Sequence, residues 1–204
     1  MISIEFLITS LIVVLVPGTG VIYTVSTGLV QGRKASVFAA LGCTAGILPH
    51  LMATVLGLAA VMHTSALAFQ TLKYAGVAYL FYVAYATWCD KSAFAIDENH
   101  STNTAVGLVV KAFLLNILNP KLTIFFLAFL PQFVQPGTTE PLFQLLLLSA
   151  TFMAMTFIIF AVYGFLAHAF RKVVIESPQV QTWLRRGFAT AFASLGANLA
   201  LTEK

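Results

Sequence analysis

Charged residues are scarce in this chain, at 9% of 204 residues, where a soluble domain carries about 25%. Only seven are acidic, and none lies deep in an apolar run; Glu5 stands at the edge of the first one. That leaves no paired carboxylates for acid–base work, and none of the intramembrane acids or clustered histidines on which metal exporters rely. There is no HExxH and no Ser/His/Asp set, so an enzyme has little to work with. The two cysteines, Cys43 and Cys89, form no CxxC and fall inside apolar segments, which excludes a disulfide framework and a zinc cluster. No metal or cofactor is expected. Gly18-Thr19-Gly20 is followed by neither a third glycine nor a Gly-Lys-Ser/Thr, so it is not read as a nucleotide loop.

Apolar residues are abundant instead, at 59%, with a mean hydropathy of +0.92. Polar breaks at 31–34, 63–65, 90–104, 135–141 and 171–185 leave six apolar segments, roughly 4–26, 36–62, 66–88, 107–134, 142–169 and 184–202. Each is close to the ~20 residues that a membrane helix needs. Runs such as 145–162 lack the alternation of barrel strands, so the segments are read as helices. Residues 1–16 have no basic region of the kind that opens a signal peptide, so the first segment is read as a mature span. With the N-terminus outside, Arg33, Lys34, Lys91, Arg171, Lys172, Arg185 and Arg186 all fall inside, against Lys204 and the helix-edge Lys73 outside. The positive-inside rule therefore places both termini outside. The net charge of +4 is a topology signal, not the concentrated basic face of a nucleic-acid binder.

Two prolines interrupt spans midway. Pro17 sits in LVPGTG and Pro120 in NPK, 103 residues apart, close to half the chain. Proline has no amide hydrogen, so the carbonyls of Val13 and Asn116 lose their helical donors, and a half-helix N-terminus opens at mid-depth. Three helices plus three, with a break in the first of each set, predicts two inverted repeats: about 1–89, an inside linker of about 90–106, and about 107–204. Two unrelated kinks are the alternative reading of the prolines alone. In hydrocarbon the freed groups need partners or a wet cavity, and a carboxylate suits the positive half-helix end. Gly18 and Gly20 let a ligand approach the backbone there.

Lys121 is a charge at mid-span beside Asn116 and Asn119, which suits an anionic substrate group, with snorkelling or structural pairing as the alternative. Gly42, Gly46 and Gly57, with Ala53, line one face of the second span and read as a close-packing stripe. His50 lies on that face as well. A histidine suits proton exchange; the alternative is a neutral imidazole held by a backbone carbonyl freed by Pro49 or elsewhere. Tyr79 and Tyr82 read as pocket wall or interfacial belt, and Trp88 as belt. His63, His100 and His168 read as loop or interfacial residues.

These residues resemble the LysE/RhtB family of amino-acid exporters over nearly the whole chain. The likeness is carried by Pro17-Gly18, by Gly32 with the basic residues after it, by GCTAGILPH with Gly42, Gly46 and His50, and by LKYAGVAYLFYVA with Lys73, Gly76 and Tyr79. It continues in NPK and FFLAFLPQF, residues 119–121 and 125–133, and in LGANLAL near the C-terminus. Two positions depart from the family pattern: Thr19 replaces the second proline of Pro-Gly-Pro, and Tyr85 stands where glycine is frequent. The resemblance implies a six-helix carrier that exports amino acids, often coupled to protons.

The expectation is therefore a single 1–204 transporter domain in the bacterial inner membrane. It would export small neutral amino acids or their derivatives by proton antiport. Pro17, Gly18, Gly20, Tyr79, Asn116, Asn119, Pro120 and Lys121 would bind substrate, and His50 would couple the proton. A small-ion carrier or channel and a non-transporting scaffold are the alternatives. A homodimer is compatible with the Phe-rich outer faces, which fit lipid equally well.

Overall fold

The computed structural model describes residues 2–16, 18–62, 66–89, 104–119, 122–123, 125–135, 140–170, 172–173 and 177–201, and all regular structure among them is helical. Helix α1 (Ile4–Leu15) opens on Ser3, whose hydroxyl accepts the Phe6 N–H at 3.1 Å. α2 (Thr19–Gln31) follows after three residues, and the two axes bend by 55°. Beyond it Gly32 takes φ +86°, a left-handed conformation that side-chain-bearing residues avoid, and the chain turns back into α3 (Arg33–Ala45). α4 (Leu48–Met62) and α5 (Ala66–Cys89) come next. α6 (Ala105–Ile117) is capped by Thr104, whose side chain accepts the Gly107 N–H at 3.2 Å. A π-turn (Phe125–Phe129) and a 3-10 turn (Leu130–Phe133) lead to α7 (Pro141–Phe165), α8 (Ala167–Phe170) and α9 (Pro178–Leu201).

Among the described residues, Arg33–Gly57 and Pro141–Phe165 are each 25 residues long and apolar enough to cross a membrane. At 1.5 Å per residue each spans about 37 Å, against a hydrocarbon core of about 30 Å. The bent α1–α2 pair makes a third span if counted as one. Large apolar side chains face outward all over the molecule, among them Ile4, Leu56, Val106, Leu118, Phe143 and Ile158. That exterior suits lipid, where such side chains carry no exposure cost.

Three boundaries differ from the sequence expectation. The second span is itself interrupted, at Gly46–Ile47 between α3 and α4. Pro49 lies in the first turn of α4, where its missing N–H and its ring against the Ala45 carbonyl stop α3 from continuing. The fourth apolar segment, expected to break at Pro120, ends its α-helix at Ile117, and residues 125–133 form a π-turn and a 3-10 turn. The helix that holds the sixth apolar segment begins at Pro178, not 184, because a proline at the first helical position is favourable even though polar residues follow it.

α3 is the most enclosed element, packed on α2, α6 and α7, while α1 and α2 lie along α7, and α5 pairs with α9 and touches the π-turn. Small residues set the closest crossings. A Cβ on Gly28 would sit 2.7 Å from the Gly164 carbonyl oxygen and 3.0 Å from the Ala167 Cβ, and one on Gly164 would collide with Ser36. Gly42 and Gly46 lie against α6: a Cβ on Gly42 would strike the Val109 carbonyl and come within 2.7 Å of the Ala112 Cβ. One on Gly46 would reach the Asn116 Cβ at 2.8 Å. Gly57 differs. Among the described residues nothing lies within 4 Å of a Cβ placed there, so the close packing expected of Gly57 is absent from them.

Candidate functional site

An interrupted helix strands backbone carbonyls, and in a membrane each must find a donor. Three interruptions occur within apolar segments, and at each a side chain from another segment lies within hydrogen-bond reach of a carbonyl beside the break. At the α3–α4 turn the Ile47 N–H turns to the Thr44 carbonyl at 3.1 Å, which removes the helical donor of the Cys43 carbonyl. The Asn116 amide donates to that carbonyl instead, Nδ2 to O at 2.6 Å. After α6 a proline at position 120 cannot donate to the Asn116 carbonyl. Asn119 N–H reaches it at 3.0 Å, and His50 Nε2 lies 3.1 Å away. At the end of α1 the Leu15 carbonyl accepts the hydroxyl of Tyr163 at 3.1 Å.

The α1–α2 break and the α6 break also meet. A Cβ on Gly20 would lie 2.9 Å from Asn116 Oδ1, 2.9 Å from Phe160 Cε2 and 3.2 Å from Cys43 Sγ. Only glycine lets the first turn of α2 come this near Asn116. Asn116 is 2% exposed and His50 5%, so this polar cluster is shut into an apolar interior. The Cys43 thiol adds a weak bond to the Gly20 carbonyl at 3.8 Å. Gly18 caps α2 with its extended backbone and offers no side-chain acceptor, so the first N–H groups of α2 have no partner within their own helix.

One wall is aromatic. The π-turn brings Phe125 and Phe126 inward; Phe125 stacks on Phe152 with centroids 4.6 Å apart, and Phe126 meets the same ring edge-on at 5.3 Å. His50 lies over Phe126 at 6.4 Å. On the α2 side the Lys111 ammonium sits 5.6 Å above the Tyr23 ring. The buried hydroxyls of Thr24, Thr27, Thr54 and Thr156 each donate to a carbonyl four residues back, which satisfies them without a partner helix. Among the described residues no three His, Cys, Asp or Glu side chains converge as a metal site.

The family model for the LysE type translocator matches residues 11–203. The chain belongs to this family. A LysE type translocator moves a solute across a membrane and is not an enzyme. The chain is 31% identical to an uncharacterised membrane protein of Vibrio cholerae, over 97% of this chain and 96% of that one. It is 31% identical to a homoserine/homoserine lactone efflux protein of Salmonella typhimurium, over 96% and 94% of the two chains. A leucine efflux protein of Enterobacter sp. is 26% identical over 76% of this chain and 77% of its own. No solved structure matches.

Within this translocator the structure brings Gly18, Gly20, Asn116, Asn119 and His50 to one region. Pro17, Pro120 and Lys121 lie outside the described residues, as do residues 90–103 of the linker expected at about 90–106; α6 already begins at Ala105. Tyr79 is half-buried with its ring 5.8 Å from Tyr82, and no hydrogen bond among the described residues ties it to the Asn116 cluster. The sequence reading did not single out Thr123, Tyr163 or Lys111. Pro49 could have signalled the α3–α4 turn; nothing in the sequence marked Tyr163 as the residue that reaches Leu15.

Proposed function

We propose that this LysE type translocator exports amino acids or their close derivatives from the cytoplasm by alternating access. The names of the relatives, homoserine/homoserine lactone efflux protein and leucine efflux protein, support that substrate class. The single observation that carries the site is the meeting of two interrupted spans, Gly20 of α2 against Asn116 of α6. The half-helix N-terminus at Gly18–Gly20 supplies N–H groups and a positive dipole end to a substrate carboxylate. Pro17 and Pro120 open the two breaks, Lys121 supplies the cation, and Asn119 and Tyr79 orient the substrate. Asn116 has its amide N–H committed to Cys43, so its part is to hold the breaks together and present its carbonyl side. The apolar wall of Phe125, Phe126 and Phe152 suits small neutral amino acids. His50 carries the proton of an antiport cycle.

The chain is read as one domain of six spans in the bacterial inner membrane, with both termini outside. Two three-helix repeats lie head to tail, joined by a linker on the cytoplasmic side. The exchange of caps supports the inverted pairing. A second-span side chain, His50, serves the fourth-span break, and a fifth-span side chain, Tyr163, serves the first-span break. A homodimer is compatible with this arrangement and carries no part of it.

Efflux of radiolabelled homoserine and leucine from loaded proteoliposomes, with and without a pH gradient, tests the reading. The wild-type chain is expected to release at least one of them, faster when the receiving side is acid. Lys121→Ala is expected to lower that rate on the order of 100-fold while inserting normally, because one partner of a desolvated ion contact is gone. Unchanged efflux in Lys121→Ala removes Lys121 from the site.

A further inference from the structure

His50 faces two polar groups, and their chemistry fixes its proton. The Asn116 carbonyl can only accept, so the ring nitrogen 3.1 Å from it, Nε2, carries a hydrogen. In the neutral ring Nδ1 is then a bare lone pair, and the Thr123 hydroxyl lies 3.3 Å from it. The same hydroxyl lies 3.4 Å from the Asn119 carbonyl. Thr123 thus has two acceptors within reach and one hydrogen to give.

We propose that Thr123 is the positioning residue that lets His50 gain and lose a proton without uncapping the break after α6. This rests on the antiport reading above and adds to it a specific partner. With His50 neutral, Thr123 donates to Nδ1. When a proton binds Nδ1, the lone pair is lost and Nδ1–H becomes a donor. The Thr123 hydrogen then swings to the Asn119 carbonyl, and its oxygen accepts from Nδ1–H. One proton has been added, every polar group keeps a partner, and Nε2–H stays on Asn116. Release reverses these steps. A charged imidazolium N–H bonds more strongly to a hydroxyl oxygen than a neutral ring nitrogen does to a hydroxyl hydrogen, so the contact with Thr123 is tighter while the proton is carried.

Other charges are remote from this pair among the described residues. α7 has no charged residue from Pro141 to Phe165, and the π-turn has none. Lys111 of α6 lies over Tyr23, Arg33 and Lys34 lie at the far end of α3, and α4 carries no ionisable side chain besides His50. Lys121, two residues before Thr123, and the side chain of Lys73 on α5 are outside what the structure describes.

The test compares wild type, Thr123→Val, Thr123→Ala and Thr123→Ser in proteoliposomes loaded with radiolabelled homoserine and leucine, over a range of external pH. The external proton concentration for half-maximal stimulation of efflux is expected to rise about tenfold in Thr123→Val and Thr123→Ala. Thr123→Ser, which keeps the hydroxyl, is expected to match wild type. An unchanged profile in Thr123→Val or Thr123→Ala, beside a stimulated wild type, overturns the role of Thr123 and leaves antiport standing. A wild type indifferent to the gradient overturns both. Nitrogen-15 spectra of histidine-labelled wild type read the ring without any variant: the neutral form is expected to carry hydrogen on Nε2, and hydrogen on Nδ1 overturns the assignment.

Discussion

Carbonyl oxygens govern the residue scale of this protein. Pro120 made the Asn116 carbonyl identifiable from sequence as a group in need of a donor, and His50 was identifiable as a buried histidine with two readings. The structure joins them, since His50 holds that carbonyl, and the proton-carrying role is proposed on top of the capping one. Tyr163 could not be read this way. A tyrosine in an apolar run carries no mark of which backbone group it will reach, and Leu15 is 148 residues distant. Removing that hydroxyl leaves a partly buried carbonyl short of a donor. Tyr163→Phe is expected to destabilise the protein by about 1 kcal/mol, which for a chain of this size lowers the melting temperature by about 2–4 °C. Thermal unfolding in detergent, followed by tryptophan emission, checks it; an unchanged midpoint means that the Leu15 carbonyl has another donor.

Glycine spacing decides the elements. The stripe Gly42, Gly46 and Gly57 was visible in the sequence, but periodicity cannot say where a neighbouring helix begins and ends. α6 lies under the first two, while the surroundings of Gly57 are open among the described residues. Gly42→Ala is expected to cost about 1–3 kcal/mol by forcing α3 off the Val109 backbone, with a matching loss of folded protein in membranes. Gly57→Ala is expected to leave stability within about 1 kcal/mol of wild type or to raise it, because alanine is the better helix former. Fluorescence-detected size exclusion of the two variants side by side checks both; equal losses refute the assigned seam. Pro17 and Pro120 mark two of the three breaks in the sequence. Pro49 marks the third by ending a helix as well as freeing a carbonyl, and the sequence expectation used only the carbonyl.

Composition spoke most clearly at the level of the whole molecule. So few charges on so apolar a chain fit only a membrane, and the family match over 11–203 agrees with the motifs that suggested it. Orientation rests on the distribution of Lys and Arg, and the two cysteines offer a direct check. Cys43 is buried and Cys89 is exposed at the end of α5, a span whose last turn faces the cytoplasm if both termini are outside. A membrane-impermeant maleimide is expected to label about one thiol per chain in inside-out vesicles and none in intact spheroplasts. Labelling in spheroplasts that disappears in Cys89→Ser reverses the orientation.

The donor that completes the first interrupted span lies far along the chain. A ribosome adding about 5–20 residues per second reaches Tyr163 roughly 7–30 s after Leu15. Through that interval the Leu15 carbonyl of the nascent chain is without the hydroxyl that meets it in the finished fold. The bond that closes the first break is therefore a late event of biogenesis, and a chain truncated before Tyr163 is made lacks it.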